Sequence, residues 1–218
     1  MNEDFDSIRI LQEIMLELRG LAREREVSVS EIVHEALDEY LFARTGGVNL
    51  FDIIHSIEND MRRAEAGHFV TSPDPSGLAI FIKSPIRYVY RPEIRYEVRV
   101  VRSGKAFFGK LSVVLRSHDM DTLRGFSEFA ALWIELERKY LPRNRAEQII
   151  YTTDAGYFGR QISYGAARQG DGKSIGDAIS GYIRVFDELL KYYFNHRGNA
   201  EEIEKIYLAR LNDGKLAI

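Results

Sequence analysis

Between residues 79 and 117 the chain carries nine basic side chains and only two acidic ones, Glu93 and Glu97. Within this stretch Ile94-Arg95-Tyr96-Glu97-Val98-Arg99-Val100 alternates strictly, turns at Ser103-Gly104-Lys105 and returns as Phe107 to Arg116. Alternation with period two predicts a hairpin. One face holds Ile94, Tyr96, Val98 and Val100, with Gly109, Leu111, Val113 and Leu115 beside them. The other holds Arg95, Glu97 and Arg99, joined by Lys110 and Ser112. Arg95, Arg99 and Lys110 are therefore a candidate surface for a nucleic-acid backbone or another anionic ligand. The same pattern also fits a solvated face on which lysine and arginine guard sheet edges.

Other residue groups carry less chemistry. His118-Asp119-x-Asp121 gathers metal-friendly donors, but aspartates at this place also suit the start of a helix. Gly170-Asp171-Gly172-Lys173-Ser174 resembles the end of a phosphate loop, yet Ala167 stands where its first glycine is needed, which rules out that motif. His55 and His68 have no second ligand at helical spacing and read as ordinary surface histidines. No nucleophile elbow, His-Glu-x-x-His or paired-carboxylate signature is present, and the chain has no cysteine. The expectation is a protein with no catalytic residues, no metal and no cofactor, and so not an enzyme.

The 218 residues are 45% hydrophobic and 29% charged, as in ordinary globular proteins. No stretch approaches the ~20 apolar residues of a membrane-spanning helix, and the first residues are acidic where a signal peptide would be basic. These features read as a soluble, cytoplasmic protein without a membrane partner.

The net charge of −3 hides an uneven distribution, because residues 1–45 carry 5 basic and 11 acidic side chains, a balance of −6. In this segment Ser7-Ile8-Arg9-Ile10-Leu11 alternates like a short strand. Ile14, Leu18, Leu21 and Ala22 then fall on one stripe of a helix over 12–25. Ser28 and Glu31 have the spacing of a capping box opening a second helix, which runs through Leu41 to Gly46-Gly47. One strand and two short helices cannot close a core alone, so a partner chain is expected.

Ser7-Ile8-Arg9-Ile10, Leu18-x-x-Leu21-Ala22-x-Glu24-Arg25 and Val27-Ser28-Val29-Ser30-Glu31-Ile32-Val33-x-Glu35-Ala36-Leu37-x-Glu39-Tyr40-Leu41 together resemble the ribbon-helix-helix family of the Arc and MetJ repressor type. The resemblance is gapless over about 35 residues. It implies an intertwined homodimer whose paired strands enter the major groove of double-stranded DNA. Phe5, Ser7 and Arg9 would then face the base edges, Arg9 being able to contact guanine in bidentate fashion. Ser28, Val29 and Ser30 would hold a phosphate at the start of the second helix. The sequence departs from the family pattern at Leu11, where proline usually begins the first helix, and at Gly20, which weakens that helix. It also departs at Glu26, which asks a bulky residue to adopt positive φ.

Asn49 caps a predicted helix carrying Leu50, Ile53, Ile54, Ile57 and Met61, read as a connection between modules. Thr71 to Gly77 reads as an irregular loop and Leu78 to Ile82 as a buried strand. Asp119 to Tyr140 is predicted to be a long helix and Ile149-Ile150-Tyr151 a strand, while Tyr157 to Gly165 stays unassigned. A helix capped by Ser174 and running through Arg197, and another from Ala200 to Leu211, close the chain.

The expected fold is α+β. A β-α-α ribbon-helix-helix module spans 1–45, a connecting helix and loop 46–78, and an α+β domain with a small antiparallel sheet and long helices 79–218. The resemblance implies a homodimeric DNA-binding transcriptional regulator, able to assemble further, whose C-terminal domain senses an unidentified effector or oligomerises. The alternative, raised by the acidity of the first module, is a ribbon-helix-helix used only for dimerisation or for binding a protein partner, as in antitoxins.

Overall fold

In the computed structural model the described residues are 12–44, 48–63, 69–85, 92–103, 106–142, 147–164, 171–196, 198–214 and 216. The chain divides between Gly47 and Val48 into two units. The expected reading strand, with Phe5, Ser7 and Arg9, lies outside the described residues.

In the first unit, α1 (Gln12–Glu24) and α2 (Val29–Arg44) are joined by a tight connection. Glu26 takes φ 55°, and the amides of Glu26 and Val27 close onto the carbonyls of Arg23 and Ala22. This is a Schellman ending, built with glutamate at the left-handed position that glycine usually fills. The predicted capping box follows at once. Ser28 N donates to Glu31 Oε2 at 2.7 Å, and Glu31 N donates to Ser28 Oγ at 3.1 Å. Among the described apolar side chains of this unit only Ala22 and Ile32 are buried, while Ile14, Leu16, Leu37 and Tyr40 stay open to solvent.

The second unit is a six-stranded antiparallel sheet with helices over one face, an α+β architecture. Its strands are β1 (Val70–Pro73), β2 (Ala79–Pro85), β3 (Glu93–Ser103), β4 (Ala106–Arg116), β5 (Tyr151–Asp154) and β6 (Tyr157–Tyr164). They lie in the order β1-β2-β3-β4-β6-β5. The first four form a meander; the chain then leaves through a helix, returns at the far edge as β5 and turns back as β6 beside β4. Gly156 makes that last turn possible, because at φ 71° a Cβ would sit 2.6 Å from the carbonyl oxygen of Leu115.

Among the described residues four helices complete this unit: α3 (Leu50–Arg63), α4 (Met120–Tyr140), α5 (Gly172–Asn195) and α6 (Ala200–Asn212). Asn49 accepts from Phe51 N at the start of α3, Asp119 from Thr122 N at α4, Asp171 from Ser174 N at α5 and Asn199 from Glu202 N at α6. The predicted apolar face of the β3–β4 hairpin is the inner face of the sheet, with Tyr96, Val98, Leu111 and Val113 fully buried. Trp133 on α4 packs its ring 4.8 Å from Phe186 on α5, which in turn lies 5.0 Å from Phe158 on β6. Each such side chain contributes roughly 1.5–3 kcal/mol by leaving water.

Helices α3 and α5 touch through glycine. A Cβ on Gly172 would meet Asn49 O at 2.7 Å, and one on Gly176 would meet Ile53 O at 2.6 Å. This close approach lets Ser56 Oγ donate to Asp177 at 2.6 Å, and it brings Asp60 into contact with Ser180 and Arg184.

Several expectations change. Helix α3 is not a connection, because Ile53, Ile54, Ile57 and Met61 are core residues of the second unit. That unit therefore begins at Val48. Residues 70–73 form edge strand β1 rather than loop, and Pro73 is tolerated because an outer edge needs no amide donor there. Strand β5 begins at Tyr151, not Ile149. Helix α5 is capped by Asp171 instead of Ser174, whose amide is the donor to that cap, and it ends at Asn195. Strand β6 was not anticipated. Among the described residues no helix is long and apolar enough to cross a membrane.

Candidate functional site

Two places hold the residues expected to bind other molecules. The first is the start of α2, where Ser28, Val29 and Ser30 stand together. The capping box engages the Ser28 and Glu31 amides, leaving those of Val29 and Ser30 outside it. The Glu31 carboxylate lies on the Ser28 amide, which holds its pKa below the ordinary value of 4.5. A phosphate at this helix end would meet the favourable dipole and amides but also a fixed negative charge.

The second place is the outer face of the sheet. Residues directly opposite one another in an antiparallel pair share a face, so the register sorts the side chains into rows. One row runs Arg99, Lys110, Gln161, and Ile150 O accepts from Gln161 N at its end. The row on one side is Val101 and Phe108. On the other side Phe81, Glu97, Ser112, Gly159 and Thr152 cross five strands. A further row begins Lys83, Arg95, Val114, Tyr157 and Asp154. Arg95, Arg99 and Lys110 are thus on one face, as their alternation predicted.

Each cation has a different setting. Lys83 Nζ lies 3.4 Å from Glu93 and Arg99 Nη2 3.2 Å from Glu97. Arg95 stacks over Phe81 at 5.3 Å, and its buried Nε has no hydrogen-bond partner among the described residues. Lys110 lies over the ring of Tyr157 at 5.7 Å and has no carboxylate partner among the described residues. The Tyr157 side chain lies along the sheet, its hydroxyl 3.2 Å from Ser112 Oγ, in the space that Gly159 leaves open.

Between these rows the face is hollow, a depression of about 400 Å³ bordered by Arg99, Val101, Phe108, Lys110, Ile150 and Thr152. Val101 and Phe108 continue the outward alternation of the hairpin beyond the positions the sequence reading assigned to that face. Ile150, Thr152 and Gln161 were not legible, because nothing local ties residues 150–161 to this sheet.

Beneath the depression, Arg160 points inward from β6. Its Nε donates to Glu137 Oε1 at 3.1 Å, and both side chains are almost fully buried. Tyr151 and Tyr182 also donate to Glu137, and Trp133 Nε1 donates to the Tyr182 hydroxyl at 2.6 Å. Burial first, and then the Glu137 charge, push the Tyr151 and Tyr182 hydroxyls well above their ordinary pKa, so both remain proton donors. This network joins α4, α5, β5 and β6.

His118 and Asp121 flank the α4 cap, with Asp119 accepting from both the amide and the hydroxyl of Thr122. Among the described residues, no three His, Asp or Glu side chains gather as a metal would require. No protein family, curated protein or solved structure matches the chain.

Proposed function

We propose that the chain is a homodimeric, non-enzymatic DNA-binding regulator whose first unit pairs with a second copy and reads the major groove through residues 5–9. The observation that carries this reading is the bare apolar surface of the first unit. Ile14, Leu16 and Leu37 are 47%, 62% and 40% exposed on two helices whose connection is tightly specified. Large apolar side chains left open in this way ask for a second protein surface. The gapless resemblance from Ser7 to Leu41 supplies the form of that surface.

The acidity of the first unit favours a second reading, in which the same dimer binds a protein and not DNA. Selection from random duplex DNA at moderate salt separates the two. Enrichment of a palindromic motif, with anisotropy titrations showing its loss in the Ser7→Ala/Arg9→Ala double variant, is the expected outcome. Failure to enrich any sequence would remove the DNA reading. Specific binding that survives the double variant would remove the strand-readout mechanism alone.

A further inference from the structure

Arg99 and Lys110 stand directly opposite each other on the exposed face of β3 and β4. Like charges at opposed positions destabilise an antiparallel pair, and solvated faces ordinarily set opposite signs there. Here Glu97 offsets one of the two charges and orients the Arg99 guanidinium, while Lys110 stays without an acid among the described residues. One positive charge is left over. It lies at the border of a hollow on this face whose volume of about 400 Å³ falls within the usual range for small-molecule sites.

The walls of the hollow are as informative as its charge. Val101, Phe108 and Ile150 are 56%, 40% and 61% exposed around it, an unusual grouping of large apolar side chains beside two cations. Gln161 and Thr152 add neutral polar groups. The combination suits a ligand with an apolar body and a single anionic group.

It does not suit a polyanion. The other opposed cation pair, Lys83 and Arg95, lies outside the hollow, where Glu93 and the Phe81 ring engage it, so among the described residues the cations do not form a continuous track.

We infer that the hollow on the outer face of β3, β4, β5 and β6 binds a small organic monocarboxylate. The carboxylate lies between Arg99 and Lys110, and an aromatic or branched aliphatic body lies against Val101, Phe108 and Ile150. This inference does not depend on DNA binding by the first unit.

The test is calorimetric titration of the full chain with 1-naphthoate, benzoate and 4-methylpentanoate, each against its neutral amide. Saturable binding of at least one acid at one site per chain is expected, with its amide weaker by about tenfold. Lys110→Gln should weaken the acid by about tenfold and leave the amide unchanged, while Phe108→Ala should weaken both. Lys110 is exposed, so thermal unfolding of Lys110→Gln should match the wild type and exclude misfolding. Three results overturn the inference: no saturation by any acid up to about 10 mM, equal binding of acid and amide, or acid binding indifferent to Lys110→Gln. Tighter binding of a ten-nucleotide oligothymidylate, lost in Lys110→Gln, also overturns it and assigns the face to single-stranded nucleic acid.

Discussion

Helix α5 hides Ile179, Ile183, Phe186 and Leu190 completely, and the sheet beneath it does the same with Tyr96, Val98 and Val113. Helices α1 and α2, of comparable composition, leave Ile14, Leu16, Leu37 and Tyr40 between 40% and 62% exposed. The difference lies in what each unit can supply. The second unit has a sheet face and, among its described residues, four helices that cover it, so its core closes within one chain. The first has, among its described residues, two short helices whose local devices fix the path of the backbone but bury few of their apolar side chains. The stability of the second unit should therefore be independent of protein concentration, and that of the first should rise with it. Trp133, the single tryptophan, reports on the second unit alone.

The strongest way to sharpen this contrast is Arg160→Ala, which leaves the buried Glu137 carboxylate without its cation. We expect a loss of about 3–5 kcal/mol in urea unfolding followed by Trp133 fluorescence, identical at low and high protein concentration. A shift that depended on concentration would mean that the second unit, too, leans on a partner. Next in size is Ile14→Lys/Leu37→Lys, two charges placed on the bare stripe. Sedimentation should show self-association weakened by about 3 kcal/mol or more while the Trp133 transition stays in place. An unchanged mass would break the comparison at its root.

Gly176→Ala should destabilise the second unit by about 2 kcal/mol, because the added methyl meets the Ile53 carbonyl and Ser56 on α3 and the two helices must separate. Ser28→Ala is the mildest, about 1 kcal/mol on the first unit alone, read by far-ultraviolet dichroism. It also carries a pH signature. The Ser28 amide and hydroxyl lower the Glu31 pKa in the folded state. A carboxylate depressed in this way stabilises the fold above its unfolded pKa and ceases to do so as pH falls through the folded one. Acidification through and below about pH 4.5 should therefore loosen α2 in the wild type, and Ser28→Ala should flatten that dependence. Asp119 and Asp171, lowered by their own cap bonds, give the second unit a dependence of the same sign.

What could be read in advance was whatever a short stretch of chain decides by itself. The β3–β4 register, the outward set of Arg95, Arg99 and Lys110, the Ser28–Glu31 box and the positive φ at Glu26 all follow from neighbours within a few residues. Strand β6 escaped because Arg160 puts a charge where alternation calls for an apolar side chain. Its counterpart Glu137 lies 23 residues away on another element, so neither residue signals the other. Strand β1 was hidden by Pro73 and the turn residues around it, since an edge strand of four residues needs little β propensity. The stripe on α3 announced a buried face but not its partner α5, a contact that spans about 120 residues. The hollow was half legible for the same reason, β3 and β4 being local and β5 and β6 not.

The α3–α5 contact also sets an order of assembly during synthesis. Helix α3 leaves the ribosome before any strand of the sheet, yet the helix it must meet is among the last parts made. The meander can pair as it emerges because its contacts are between sequence neighbours, whereas α3 must wait for Gly172 and Gly176. During that interval α1 and α2 have already emerged with Ile14, Leu16 and Leu37 exposed, so under the proposed dimer nascent neighbours on one messenger would meet through them before either second unit has closed. Pulse-labelled hydrogen exchange on stalled chains should accordingly find the α3 amides unprotected until α5 has been released.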